Sequence, residues 1–394
     1  MKEMIYLDNS ATTRICDEAL EEYIRISREH FGNPSSLHAV GFDAEQILKN
    51  ARSSLLRTLG AKNGTLVFTS SGSEANNLAI FGRAHAKDRY RGKKILTTSG
   101  EHSSVSAVFD ALAKEGFKAE TIPTRGGEID FSALEKMLTP DVILVSAMMV
   151  NNETGAIYDL RGVSEMMREK CPEAVLHVDA TQSFMKLPFS PASLQADMIT
   201  LSSHKIEGPK GVGALYISQS LITQHGLAPL ILGGGQESGF RSGTENVPGV
   251  AAFAKAAEIA HNNLQYRIKY ILGLREHLLK RLKEDERLSD IIPLITKNPA
   301  PHILSLEVKN IKSETVLHFL SSEGICVSSG SACSSNASTR HASPALLAFG
   351  QTEAEADSSI RISFSHRNTV DEVDALCEAL ILALSRLAKI RRAK

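Results

Sequence analysis

Between about residues 65 and 217 the chain alternates short apolar runs with segments whose apolar positions recur every three to four residues. "TLVFTS" precedes "SEANNLAIFGRAHAKD", "KKILTTS" precedes "SVSAVFDALAKEG", and "DVILVSAMM" precedes "LRGVSEMMREK"; "AVLHVD", "DMITLSS" and "VGALYI" follow. Continuous apolar strands separated by amphipathic helices predict an α/β fold, a mostly parallel central sheet with helices on both faces. Ligands then collect at the carboxyl ends of the strands. Upstream, Ile47, Leu48, Ala51, Leu55, Leu56 and Leu59 form a helical stripe closed by Gly60. After "GTENVPG" a helical region over about 249–286 leads into "HILSLEV", a helix over 313–323, "GICVSSG", "SIRISF" and a final helix from about 370. That mixture predicts a smaller α+β domain.

A chain of 394 residues exceeds what one hydrophobic core usually serves, so two domains are expected. The large one is placed at 15–257. The small one combines 1–14 with 258–394 and carries a loop at about 328–343. With 42% hydrophobic and 23% charged residues the composition is globular, and a net charge of -1 gives no reason to expect nucleic acid as a partner. The start "MKEMIYLDNSATT" lacks a signal-peptide pattern and no apolar run suits a bilayer, so a cytoplasmic protein with no membrane contact is expected. Five cysteines form no CxxC pair, which argues against a metal site and a disulfide framework.

Candidate chemistry gathers at two strand ends. Asp179 closes "AVLHVD" and Lys205 follows "DMITLSS", so the sheet brings a carboxylate and an amine to one edge. Together they suggest a pyridoxal phosphate (PLP) site, with the lysine bonded to the cofactor and the carboxylate keeping its ring nitrogen protonated. Taken alone the two also read as an ion pair, and Lys210 is a second candidate lysine by composition. In "TSSGSEANN" the amides at Gly72 and Ser73 open a helix and suit a phosphate, although an ordinary helix cap has the same pattern. Cys333 is set alone among small polar residues in "SSGSACSS", a mobile composition with little apolar surface to bury.

The ordered series "YLDNSATT", "FGNPSS", "FTSSGSEANNLAI", "EHSSV", "NNETGAI", "HVDATQS", "SSHKIEGPKGVGALY", "GGGQESGFRSGTENVPG", "SSGSACSS" and "SIRIS" resembles the cysteine desulfurases of the NifS/IscS group over about residues 5–375. These are PLP enzymes of fold type I, the aspartate aminotransferase type. The resemblance implies that Lys205 is the Schiff-base lysine, that Asp179 pairs with the pyridine nitrogen and that Gln182 touches the ring hydroxyl. It puts His102 on the ring, Asn152 beside it, and Gly72, Ser73, Ser202 and His204 around the phosphate. Thr244 matches a threonine that completes the phosphate site of the other subunit, implying a homodimer. Arg361 matches the clamp for the substrate carboxylate, assisted by Asn33. Cys333 matches the nucleophile that takes sulfur from L-cysteine as a persulfide and releases L-alanine, in the subgroup with a long catalytic loop.

The sulfur would then pass to an acceptor protein, in iron-sulfur cluster assembly or in thio-cofactor or transfer-RNA thiolation. A free thiol with a pKa near roughly 8.5 is mostly protonated at neutral pH, so a neighbour must activate Cys333. His102 is the first candidate and His341 the second. Ser103 and Ser104 depart from the basic and small residues common after "EH" in the family, and the chain lacks the longer tail of its housekeeping members. Alternatives are a selenocysteine lyase, an aminotransferase of the same fold, a PLP-binding scaffold without turnover, and a thiol hydrolase built on Cys333 and His341. Alanine release without a keto-acid partner separates the desulfurase from the aminotransferase.

Overall fold

The computed structural model describes residues 4–86, 92–329 and 342–392. Its largest sheet has seven strands in the order Thr65–Thr69, Gly213–Ile217, Met198–Ser202, Val175–Asp179, Val142–Met148, Lys94–Thr98 and Lys118–Ile122. All run parallel except Gly213–Ile217, which is antiparallel to both of its neighbours. Neighbouring residues on a strand serve opposite faces, as the pleat requires. Ile95 and Leu215 pack with Leu78 and Val105 of the helices Gly72–Ala84 and Ser103–Lys114. Leu96 and Ala214 pack with Leu55, Val163 and Phe253 on the other side. All seven residues of Val142–Met148 are therefore buried.

The sheet departs from the sequence expectation at its edge. Lys118–Ile122 is a strand with the exposed pattern of an edge position, and its polar sequence "KAETI" hides it from a search for apolar runs. The helix expected over 249–286 is two helices, Val247–Asn262 and Leu264–Glu284. Asn263 separates them with φ -110° and ψ 7°, in keeping with the preference of asparagine for helix ends over interiors.

A second, antiparallel sheet has the order Ile291–Pro293, Ile303–Val308, Ser359–Ser363 and Ser328–Ser329. Leu306, Ile360 and Ile362 of this sheet share a core with Leu274, Leu278, Leu376 and Leu380 from two long helices. The first residues join this part of the chain: Ile5–Tyr6 pairs in parallel with Ile325–Cys326, and Asn9 Nδ2 donates to the Ser363 carbonyl at 2.9 Å. The segment then crosses to the large sheet, where Thr13 N donates to the His204 carbonyl at 2.9 Å. No helix among the described residues is long and apolar enough to cross a membrane.

Candidate active site

Where the carboxyl ends of the parallel strands face the smaller sheet, the structure encloses a cavity of about 410 Å³. Asp179 is the last residue of its strand and is 5% exposed. Its Oδ1 accepts from Thr181 N at 2.9 Å and its Oδ2 from Asn76 Nδ2 at 2.8 Å. These bonds fix the carboxylate against the cavity wall. Below it, His177 is wholly buried between Ser146 Oγ (2.8 Å) and Thr200 Oγ1 (3.0 Å), and burial pushes its pKa down.

Lys205 ends the short turn Ser203–Lys205 that follows Met198–Ser202. Its Nζ donates to the carbonyls of Ser10 at 2.6 Å and Ala11 at 2.7 Å. Lys210 is exposed and does not line the cavity, so of the two lysines it is Lys205 that stands opposite Asp179. His204 meets Thr12 Oγ1 at 3.1 Å; burial first, then Lys205, hold its pKa down at about 4.

Gly72 opens a helix capped by Ser71, whose side chain accepts from Glu74 N at 3.1 Å. A Cβ on Gly72 would lie 3.2 Å from Thr181 Oγ1 and 3.3 Å from Ser202 Cβ, so glycine keeps this corner open. The first amides of a helix have no intrahelical acceptor and suit an anion. Gly72, Ser73 and Ser202 line the cavity at this corner.

His102 caps the helix Ser103–Lys114. Its Nδ1 lies 2.8 Å from Ser104 Oγ and accepts from Ser104 N at 3.1 Å. Burial lowers the His102 pKa, Asp179 opposes the shift and Lys205 adds to it. With Nδ1 accepting from Ser104 N, the neutral ring carries its proton on Nε2.

Arg361 enters from the smaller sheet and is 6% exposed. Its Nη1 donates to the Asn152 carbonyl at 2.8 Å and its Nη2 to Asp8 Oδ1 at 3.0 Å, while Nε has no partner among the described residues. Asn152 and Gln182 complete the set of sequence-picked residues lining the cavity.

Besides Lys210, four sequence-picked residues are not in this set. Asn33 is exposed and its Oδ1 accepts from Ser35 N at 2.9 Å. Thr244 lines a separate cavity of about 130 Å³ with Thr69, Ser70 and Arg241. Cys333, like His341, lies outside the described residues. Conversely, sequence reasoning passed over Asp8, Ser10, Ala11, Asn76 and Thr181, and noted Ser104 only as a departure from the family pattern. Asn76 carried a signal, since it is a polar residue beside Ala75 and Ala79 on a buried helix face.

The donor set fits PLP on its chemistry. An amine and a carboxylate face one cavity, a glycine-walled helix start suits the phosphate, and buried Ser10 Oγ and Asn76 Oδ1 are without partners among the described residues.

Residues 5–376 match the aminotransferase class-V family. The chain is 37% identical over 386 residues to cysteine desulfurase IscS 1 of Archaeoglobus fulgidus, covering 98% of both chains. It is also 37% identical to cysteine desulfurase 2 of Trichormus variabilis, covering 98% of this chain and 94% of that one. Among solved structures it is similar to a NifS-like protein, with a TM-score of 0.89 and 36% identity over 97% of this chain and 100% of the other. A cysteine desulfurase from Thermococcus onnurineus superposes with a TM-score of 0.84 at 25% identity, covering 97% of this chain and 95% of that one.

Proposed function

The chain belongs to the aminotransferase class-V family, whose members generally use PLP, and from this membership we infer that it is a cysteine desulfurase. The observation that carries the reading is near-full-length identity to cysteine desulfurases in a chain whose Lys205, Asp179 and Arg361 line one cavity. The division into 15–257 and the remainder is part of the same proposal.

Lys205 would hold the cofactor covalently, Asp179 would face its ring nitrogen, and Gln182 its ring oxygen. His102 and Asn152 would flank the ring. Gly72, Ser73, Ser202 and His204 would hold the phosphate, with Thr244 supplied by a second copy of the chain; its position outside its own chain's cavity is in keeping with such an exchange. When bound, PLP supplies an electron sink that acidifies the substrate α-carbon and opens its sulfur to attack.

The remaining work falls to the protein's own groups. Arg361 binds the carboxylate of L-cysteine through its planar fork; the help expected from Asn33 would need a rearrangement, since that residue lies outside the cavity. Lys205, released from its bond, moves the proton of the α-carbon. The Cys333 thiolate attacks the substrate sulfur: an S–S bond forms, the substrate C–S bond breaks with its electron pair staying on carbon, and protonation of that carbon yields alanine. The proton lost by the Cys333 thiol is relayed by His102. The persulfide then transfers sulfur to an acceptor protein, of the kind that builds iron-sulfur clusters, thio-cofactors or thiolated transfer RNA.

The test compares the wild type with Cys333→Ala on L-cysteine, following alanine, persulfide by mass spectrometry and the visible spectrum. The wild type is expected to make alanine and a Cys333 persulfide. The variant keeps the substrate-induced spectral change and makes neither product. Alanine formation at the wild-type rate by Cys333→Ala would overturn the assignment of Cys333 as the nucleophile.

A further inference from the structure

Just after Lys205 the chain places Glu207, whose side chain is only 7% exposed. Its backbone is pinned to the segment that also seats Lys205. Glu207 N donates to Thr13 Oγ1 at 2.8 Å, the Glu207 carbonyl accepts from Cys16 N at 2.9 Å, and the Thr13 hydroxyl donates to the His204 carbonyl at 2.9 Å. The Glu207 backbone is left-handed, with φ of 66°. A residue with a side chain adopts that conformation only where its surroundings impose it, and such positions cluster at functional sites.

The carboxylate, by contrast, is committed to the other body of the molecule. Its Oε2 meets Arg267 Nη1 at 3.2 Å, and Arg267 belongs to the helix Leu264–Glu284, which packs on the smaller sheet through Leu274 and Leu278. Its Oε1 accepts from Arg367 Nε at 3.0 Å and lies 3.7 Å from His366 Nδ1. His366 and Arg367 stand just beyond Ser359–Ser363, the strand that carries Arg361. Among the described residues Glu207 is the only carboxylate paired with any of these three. Its removal would release them all.

One side chain thus joins the turn of Lys205 to the strand of Arg361. Reacting groups must be held closely in register, since a misplacement of about 1 Å can cost roughly a hundredfold in rate. A buried carboxylate with charged donors on both oxygens is a directional bond, unlike an exposed ion pair.

We propose that Glu207 is a positioning residue for substrate binding: by clasping the chain beyond Arg361 to the turn of Lys205, it sets the separation between the group that binds the substrate carboxylate and the amine that works at the α-carbon. The inference rests on the roles assigned to Arg361 and Lys205 above.

The experiment uses the full chain loaded with PLP and follows alanine formation and the visible band during titration with L-cysteine. Glu207→Gln keeps the shape and loses the charge, so KM should rise about tenfold while kcat changes less than about threefold. The L-cysteine concentration that half-completes the spectral change should rise in step, and the band before substrate is added should match that of the wild type. Arg367→Gln should raise KM by about threefold, because its side chain is more exposed, and it decides the matter if Glu207→Gln does not fold. A role exerted through Arg361 has one further mark: in an Arg361→Ala background, Glu207→Gln should lower kcat/KM by less than about twofold more. A wild-type KM in both single variants, or a full further loss in the Arg361→Ala background, would overturn the proposal and leave Glu207 a strut. A wild type that makes no alanine from L-cysteine overturns the reading of the site instead.

Discussion

The two walls of the active-site cavity are built differently. On the large-sheet side, Asp179 is the end of a strand buried in all its residues, and both of its oxygens are tied to groups of the same body. On the other side, Arg361 belongs to a different sheet with a different core, and it reaches the first body through the Asn152 carbonyl. Asp179 is thus held whether or not the two sheets approach each other. Arg361 is in place only when they do, and so is Lys205, whose Nζ donates to Ser10 and Ala11 of the segment joined to the smaller sheet.

The strongest way to break this contrast is on the first wall. Lys205→Ala should cut alanine formation from L-cysteine by roughly a thousandfold or more, since it removes both the bond to the cofactor and the proton carrier. Residual turnover within tenfold of the wild type would mean that the first wall does not hold the chemistry. On the second wall the effect should be smaller and of another kind. Arg361→Lys keeps the charge and loses the fork, so KM for L-cysteine should rise about tenfold with kcat changing less. Steady-state kinetics would contradict this if KM stayed put while only thermal stability fell, leaving Arg361 as a strut between the sheets.

The smallest effect tests how dry the first wall is. Glu101 is half-buried, with Oε1 accepting from Met148 N at 2.8 Å and from the Thr98 hydroxyl, and its buried Oε2 has no partner among the described residues. Burial, reinforced by Asp179, pushes its pKa from the ordinary 4.5 up to about 8. A carboxyl that stays protonated in the fold and ionises when unfolded makes the folded state lose stability as pH rises between those two values. Glu101→Gln should flatten that decline, lifting Tm at pH 8 relative to pH 5 by roughly 2 °C against the wild type. Parallel Tm changes in both proteins would show that the carboxyl is already ionised in the fold.

The same contrast explains what could be read from the chain. Asp179, Lys205 and Gly72 follow or precede strongly apolar strands, so periodicity alone brings them to one edge. Lys118–Ile122 escaped because an edge strand needs little apolar surface, and the break at Asn263 because a helix pattern runs through it in phase. Asp8, Ser10 and Ala11 were not legible as site residues. Two of them act through backbone carbonyls, which leave no trace in side-chain identity, and Asp8 meets Arg361 across 353 residues.

That long reach also sets an order in time. The ribosome makes Asp8 and Ser10 first, whereas Arg361, and Ser363, whose Oγ accepts from Ser10 N at 2.8 Å, emerge some 350 residues later. At roughly 5–20 residues per second the early strand waits on the order of twenty to seventy seconds for these partners. All seven strands of the large sheet have been made by Ile217, well before then. A growing chain can therefore own a finished sheet while its reactive lysine still lacks a settled seat, and the catalytic centre becomes the last part of the molecule to mature.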